Sequence, residues 1–300
     1  MNILITTSSF SAGIPTGLNV LYNPCKRKLS EDETIELISR HRPVGIIAGV
    51  EPLTRRVLEC ADSLRVISRC GTGVDSIDLD AAAERGIIVT TTPEAPVESV
   101  AELTVGLILS LIRKINLNDA ALRKGIWKGL QGNLLHGKTA GIIGCGRIGG
   151  RVGELLSAFG CEICGNDPAV REREPFRMIP FDELLKISDV VTLHIPYTVN
   201  NRCLIDADRI GSMKKTALLV NASRGGIIDE DALYAALKSG TIAGAALDCF
   251  EDEPYSGRLI ELNNIVLSPH MGSNTAEGRV VMDREAVGNL IRELRKLNLF

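Results

Sequence analysis

A spaced run of glycines and one carboxylate carry the first chemistry in this chain. Gly144-Cys145-Gly146-Arg147-Ile148-Gly149 has the G-x-G-x-x-G spacing and follows the apolar run Thr139 to Ile143. Gly144 permits a tight turn, Gly146 lets backbone approach a pyrophosphate, and Gly149 lets the next helix pack on its strand. The N-terminus of that helix offers unpaired N–H groups and partial positive charge to phosphate. Asp167 follows ~20 residues on, where a carboxylate accepts hydrogen bonds from ribose hydroxyls and repels a 2′-phosphate. The turn therefore reads as a dinucleotide site, and Asp167 narrows the ligand to NAD. Arg171, Arg173 and Arg177 lie downstream and read as solvated, the alternative being that they soften the exclusion of NADP.

Three later segments could do the bond chemistry. They are Asn221-Ala222-Ser223-Arg224-Gly225-Gly226, Asp248-Cys249-Phe250-Glu251-Asp252-Glu253-Pro254 and Ser268-Pro269-His270-Met271-Gly272-Ser273. Hydride transfer to a dinucleotide from a hydroxyl-bearing carbon needs a base for the hydroxyl proton, and imidazole titrates near neutral pH, so His270 suits it. A carboxylate beside the ring would orient it and stabilise its protonated form. On spacing alone Glu251, Asp252 and Glu253 are all available. Arg224 can fork onto a substrate carboxylate. His194, beside Ile195-Pro196 at a strand end, reads as a cofactor-side residue without acid–base duty. His41 and His136 carry no signal.

The elements that must position these groups alternate between strand and helix, the pattern of parallel sheets with crossover helices. Strand-like runs span Asn2 to Thr6, Val44 to Ala48, Arg65 to Arg69 and Ile87 to Thr90, with helical patterns at Glu31 to Arg40, Thr54 to Ala61 and Leu79 to Arg85. After Pro93 and Pro96 a helix begins near Val97 and could run to about Lys124. A second series has strands at Ala140 to Ile143, Cys161 to Gly165, Val190 to His194, Ala217 to Asn221, Gly244 to Leu247 and Ile265 to Leu267. Ala276 to Leu297 is helical. Each chemistry-bearing segment follows a strand, at the carboxyl ends where doubly wound sheets place ligands.

As a set, and over nearly the whole chain, these segments resemble the D-isomer-specific 2-hydroxyacid dehydrogenases. Gly71-Thr72-Gly73-Val74-Asp75 and Val100-Ala101-Glu102-Leu103 extend the resemblance, which is strongest to the phosphoglycerate dehydrogenase branch without its C-terminal regulatory domains. The resemblance implies an α/β fold of two doubly wound parallel-sheet domains. A Rossmann NAD domain, residues 98–275, would be inserted into a flavodoxin-like substrate domain, residues 1–97 and 276–300. It implies an oxidoreductase acting on a CH–OH group with NAD, using catalytic Arg224, Glu253 and His270. The cofactor positions it carries over are Gly144, Gly146, Arg147, Ile148, Gly149, Asp167, His194, Ile195, Pro196, Ala222, Ser223, Arg224, Asp248, His270 and Gly272, with Asp248 facing the carboxamide. Thr72, Gly73, Val74 and Arg224 match substrate positions. The resemblance further implies a cleft that closes by a hinge, and a homodimer formed through the helix after Val97. Relatives of the fold that sense NAD as corepressors supply the competing class.

The substrate loop departs from that branch. Ile46-Ile47-Ala48-Gly49-Val50-Glu51-Pro52 has no cation where a substrate phosphate would want one, and Glu51 adds a negative charge. Arg55, Arg56 and Arg69 are candidates to compensate. Hydroxypyruvate, glyoxylate and other small 2-oxo acids stay open as substrates. Ile195 stands where relatives often carry Thr, at the expense of one hydrogen bond.

Composition excludes other classes. The net charge of −3 gives no basic excess for general nucleic-acid binding. No apolar run approaches the ~18 residues of a membrane span; Val105 to Ile112 ends at Arg113-Lys114. Met1-Asn2-Ile3-Leu4-Ile5 has no basic lead and reads as a first strand, which predicts a cytoplasmic protein. The eight cysteines then read as reduced thiols. Cys161 and Cys164 form a C-x-x-C, but on a strand they would point to opposite faces, so no metal is expected. Cys70, Cys145 and Cys249 adjoin site segments. Buried packing is the plain reading, but a helix N-terminus can lower the Cys145 thiol pKa and would make alkylation NAD-sensitive.

Overall fold

The computed structural model describes all 300 residues. The chain divides into two units, Met1–Pro96 with Ser273–Phe300, and Val97–Gly272.

In the first unit, β1 (Asn2–Ile5), β2 (Asn19–Tyr22), β3 (Gly45–Ala48), β4 (Val66–Arg69) and β5 (Ile88–Thr90) form a parallel sheet in the order β2-β1-β3-β4-β5. This is the flavodoxin-like order. Its helices are α1 (Glu31–His41), α2 (Arg55–Glu59) and α3 (Leu79–Glu84). The Ser30 hydroxyl accepts from Glu33 N and the Glu33 carboxylate accepts from Ser30 N, so α1 starts where a capping box fixes it. Leu4, Ile46 and Ile67 face a core with Ile38, Val57 and Ala81. The alternate residues Ile3, Ile5, Ile47 and Val66 face Met282, Ala286, Leu290 and Leu294 of the C-terminal helix. The period-two alternation thus buries both faces, and β3 is buried along its whole length.

The second unit opens with α4 (Val97–Arg113) and α5 (Ile115–Arg123). The single helix expected to Lys124 is interrupted because Lys114 adopts a left-handed φ of 54°. The strands β6 (Thr139–Ile143), β7 (Glu162–Asn166), β8 (Arg177–Met178), β9 (Val190–Leu193), β10 (Leu218–Asn221), β11 (Gly244–Leu247) and β12 (Ile265–Leu267) pair in parallel, in the order β12-β11-β10-β9-β6-β7-β8. Read from β8, this is the 3-2-1-4-5-6 order of dinucleotide-binding sheets with one strand added. The helices are α6 (Arg147–Ala158), α7 (Phe181–Ile187), α8 (Ala207–Ser212) and α9 (Glu230–Ser239). The final helix, α10 (Ala276–Lys296), belongs to the first unit. Cys161 packs in the core on one face of the β6-centred sheet and Cys164 in the core on the other. No helix is long and apolar enough to cross a membrane.

Candidate active site

The glycine run forms the turn between β6 and α6. Gly144 sits at φ 90°, and a Cβ there would lie 2.4 Å from the His194 carbonyl oxygen. A Cβ on Gly149 would lie 1.9 Å from the Gly144 carbonyl oxygen, so only glycine lets α6 start this close to the turn. Gly146 differs: it caps α6 without a side-chain hydrogen bond, and an added Cβ would meet nothing within 4 Å. The first-turn N–H groups of α6 therefore border open space on a glycine floor, which fits a pyrophosphate. Asp167, just past β7, accepts from Cys145 N at 2.8 Å through Oδ2, and from Ala169 N at 2.7 Å and Val170 N at 3.2 Å through Oδ1. Its carboxylate is thereby fixed beside the turn.

One expectation about this turn is corrected and one is borne out. Arg173 is not merely solvated: its Nη1 donates to the carbonyls of Cys145 and Gly146, at 3.0 Å each. Cys145 is fully buried, and burial, aided by the negative charge of Asp167, pushes its thiol up to about 12. Desolvation overrides the helix N-terminus there. Burial likewise pushes Cys70 up to about 12 and raises Cys249.

The bond-making groups come from adjacent strand ends. After β10, the Asn221 side chain donates to the Arg224 carbonyl at 2.7 Å and accepts from Ser223 N and Oγ at 3.0 and 2.7 Å. That side chain winds the turn that presents Arg224, whose Nη1 bonds the Ser223 carbonyl at 2.7 Å. Gly225 is required because a Cβ there would lie 1.8 Å from the Phe250 carbonyl oxygen. The β10 turn thus abuts the loop after β11, where the Phe250 and Tyr255 rings stack at 4.2 Å on either side of Glu253 in sequence.

Glu253 answers the ambiguity left by spacing. Its two carboxylate oxygens lie 2.9 and 2.8 Å from His270 Nδ1, and Oε1 also accepts from Phe250 N at 3.1 Å. Glu251 instead pairs with Arg202 at 2.7 Å. His270 has a left-handed φ of 48°, and its N donates to Ser268 O at 3.1 Å, closing a tight turn around Pro269. Asp248 holds the rest of this loop. Its Oδ1 accepts from Ser268 Oγ at 2.6 Å and Met271 N at 2.9 Å, and its Oδ2 accepts from Gly272 N at 2.8 Å. At 1% exposure, Asp248 works as a buried clamp on both flanks of His270.

His194 follows β9. Its Nε2 lies 2.9 Å from Thr192 Oγ1, while Nδ1 is enclosed without a hydrogen-bond partner. Burial pushes the ring down to about 3, so it stays neutral beside the phosphate turn. Ile195 packs on the apolar core and against Gly144; Pro196 is exposed and Ala222 buried. Arg147 and Ile148 begin α6.

Thr72, Gly73 and Val74 belong to the first unit, in the loop after β4. Gly71 there has φ 130°, and its Cβ direction points to the Arg69 guanidinium, 2.8 Å from Nη1. Arg69 therefore lies against this loop. Arg55 and Arg56 are committed to Glu84 at 2.6 Å and to Asp32 at 2.8 Å. Glu51 is buried and turned inward, accepting from Thr6 Oγ1 and from Gly49 N at 3.0 Å. The free negative charge expected at this loop is thus spent on the fold. Sequence reasoning missed Asn221 and Ser268 as supports of Arg224 and His270. Their only signal was a polar side chain at a strand end next to a reactive group.

The family model described as D-isomer specific 2-hydroxyacid dehydrogenase, NAD binding domain, matches residues 105–272. The chain is 43% identical to a D-3-phosphoglycerate dehydrogenase of Methanocaldococcus jannaschii, over 88% of this chain but 51% of that protein. It spans about half the length of that relative. It is 39% identical to a hydroxypyruvate reductase of Thermotoga maritima, over 89% of each. Among solved structures, a glyoxylate reductase from Paecilomyes thermophila superposes with a TM-score of 0.87 at 28% identity, over 98% of this chain and 94% of that one.

Proposed function

Because the chain belongs to the D-isomer specific 2-hydroxyacid dehydrogenases, we propose that it interconverts a D-2-hydroxy acid and its 2-oxo acid with NAD, His270 serving as acid and base. The observation that carries this is the His270–Glu253 pair at 2.8 Å. With Nδ1 donating to Glu253, Nε2 of the neutral ring is the basic nitrogen. In oxidation it takes the hydroxyl proton; in reduction it returns that proton to the carbonyl oxygen. The negative charge of Glu253 stabilises the imidazolium formed between those two events. Arg224 binds the substrate carboxylate and polarises the neighbouring carbonyl. Gly144, Gly146, Gly149 and the α6 N-terminus hold the pyrophosphate, Asp167 the ribose, and the 194–196 and 222–224 segments border the rest of the cofactor. Bound there, the nicotinamide supplies or accepts the hydride. Thr72, Gly73 and Val74 are assigned to the substrate.

Within this reading the substrate is 3-phosphoglycerate, supported by the phosphoglycerate dehydrogenase relative and by Arg69 lying against the Gly71 loop, where it can meet a phosphate. A specific observation favours a second reading, hydroxypyruvate or glyoxylate: the segment from Ile46 to Pro52 carries no cation. NADH oxidation with phosphohydroxypyruvate, hydroxypyruvate and glyoxylate decides. The first reading requires the highest kcat/KM for the phosphorylated acid and its selective loss in Arg69→Gln. A preference for either unphosphorylated acid overturns it. NADH binding without turnover of any acid would favour an NAD-sensing role. We also assign the protein to the cytoplasm, where its eight unpaired thiols stay reduced, and to a homodimer. For the dimer, the support is the exposed apolar stretch of Ile115, Leu122, Ile126, Trp127 and Leu134.

A further inference from the structure

The segment after β7 does more than pass the turn. From Arg173 to Phe176 it lies on the glycine face of α6: a Cβ on Gly150 would fall 1.9 Å from the Arg173 guanidinium carbon, and one on Gly153 would fall 2.3 Å from the Phe176 ring. Gly150 is thus the seat of a cation. Arg173 is partly buried there, with Nη1 on the Cys145 and Gly146 carbonyls at 3.0 Å and Nη2 3.6 Å from Glu154. Asp167 grips the other side of the same residue, accepting from Cys145 N at 2.8 Å. A fixed guanidinium and a fixed carboxylate therefore meet on one residue of the phosphate turn. Three backbone N–H groups already share the Asp167 charge.

We propose that Arg173 is a specificity-determining residue that admits the 2′-phosphate of NADP(H), so that the site binds both dinucleotides despite Asp167. The inference rests on the assignment of this turn to the dinucleotide. An isolated carboxylate at the ribose rejects a 2′-phosphate by like-charge repulsion, and a guanidinium offers that dianion a bidentate, charge-assisted partner. Arg173 has five donors, and the turn carbonyls hold one nitrogen of its fork. Arg171 is exposed and Arg177 is drawn toward Glu183 at 3.8 Å and the Cys164 sulfur at 3.5 Å, so neither is fixed at the turn.

Fluorescence titration of the full chain with NADH and with NADPH, with no substrate present, tests this. The wild type is expected to bind both, NADPH within about a hundredfold of NADH. Arg173→Gln should weaken NADPH by about ten- to a hundredfold, the range of one charge-assisted contact, and NADH by less than about threefold. Arg173→Lys, which keeps the charge, should recover part of the NADPH loss, and raising salt should weaken NADPH more than NADH. Equal weakening of both ligands in Arg173→Gln would make Arg173 a support of the turn alone and overturn the proposal. So would NADH binding by a wild type that ignores NADPH, a result that leaves the NAD assignment standing. Failure to bind NADH as well would overturn that assignment too.

Discussion

Replacing Asp248 by Asn separates a clamp on the catalytic loop from a contact to the cofactor. The carboxylate is buried and accepts three hydrogen bonds, from Ser268 Oγ and Met271 N on one oxygen and from Gly272 N on the other. An amide that keeps its oxygen toward Ser268 and Met271 turns its NH2 against Gly272 N, so a donor meets a donor. One buried donor left unpaired costs about 1–3 kcal/mol, and Gly272 is buried. Asp248→Asn should therefore lower the unfolding free energy by about 2 kcal/mol. The larger effect is on His270, which lies between the clamped residues at a left-handed φ. A displacement of ~1 Å at a reacting group costs ~10²-fold in rate, so kcat should fall about a hundredfold. NADH affinity should hold within about threefold, since strain of this size in the loop leaves the turn at Gly144 untouched. The assays are urea unfolding, steady-state NADH oxidation and fluorescence titration. In a His270→Asn background the added Asp248→Asn change should cost almost nothing, because both act through one imidazole. Losses that multiply, or a fall in NADH affinity with kcat unchanged, would refute the clamp and favour Asp248 as a carboxamide contact.

Other consequences concern titration, thiols and assembly. His194 sits near 3 in the folded chain against about 6.5 unfolded, because burial disfavours its charge. The unfolded state binds the extra proton below ~6.5, so stability is full above that pH and falls as pH drops toward about 3, by at most ~1.4 kcal/mol per pH unit. His194→Gln should remove this slope from urea unfolding measured between pH 6 and 4; an unchanged slope would contradict a neutral ring at this half-buried position. Iodoacetamide at pH 8 should label the exposed Cys25 and Cys60 first and leave activity intact, because burial keeps Cys70, Cys145 and Cys249 protonated. Rapid NAD-protected inactivation would show that the Cys145 pocket opens. Trp127, 91% exposed, is assigned to the second copy of the chain. Trp127→Glu should shift the sedimenting species from dimer to monomer, and a wild type that sediments as a monomer defeats the assignment.

What the sequence revealed follows from what local chemistry can encode. Continuous apolar runs such as Gly45–Ala48 and Val190–Leu193 are buried on both faces and read clearly as strands. The glycine turn was legible because its requirements are steric and local: Gly144 and Gly149 leave no room for a Cβ. His270, Glu253 and Arg224 were found only as a set, since each alone resembles an ordinary loop residue. The edge strand Asn19–Tyr22 was missed because it is short, has no fully buried residue and follows Pro15 and Gly17. The break at Lys114 was invisible because the apolar side of the helix continues through it to Ile115. Glu51 and Arg173 were misread for a common reason. A charged side chain is assigned to solvent by default, and its partners (Thr6 and Gly49 for one, the Cys145 and Gly146 carbonyls for the other) are backbone groups or distant residues that no local pattern announces. For Cys145 the plain reading of buried packing holds: its helix N-terminus offered a lowered pKa, but the depth of burial decided the sign.

The most direct test of the account is a single-turnover comparison of wild type and His270→Asn, each preloaded with NADH and mixed with the best 2-oxo acid of the panel. Both should bind NADH with affinities within about threefold, and the variant should oxidise it at least about a hundredfold more slowly, the range of general acid–base catalysis. Glu253→Gln should fall between the two. Equal rates of NADH oxidation in wild type and His270→Asn would contradict the assignment of His270 and, with it, the reading of the 2.8 Å pair with Glu253 as the acid–base centre.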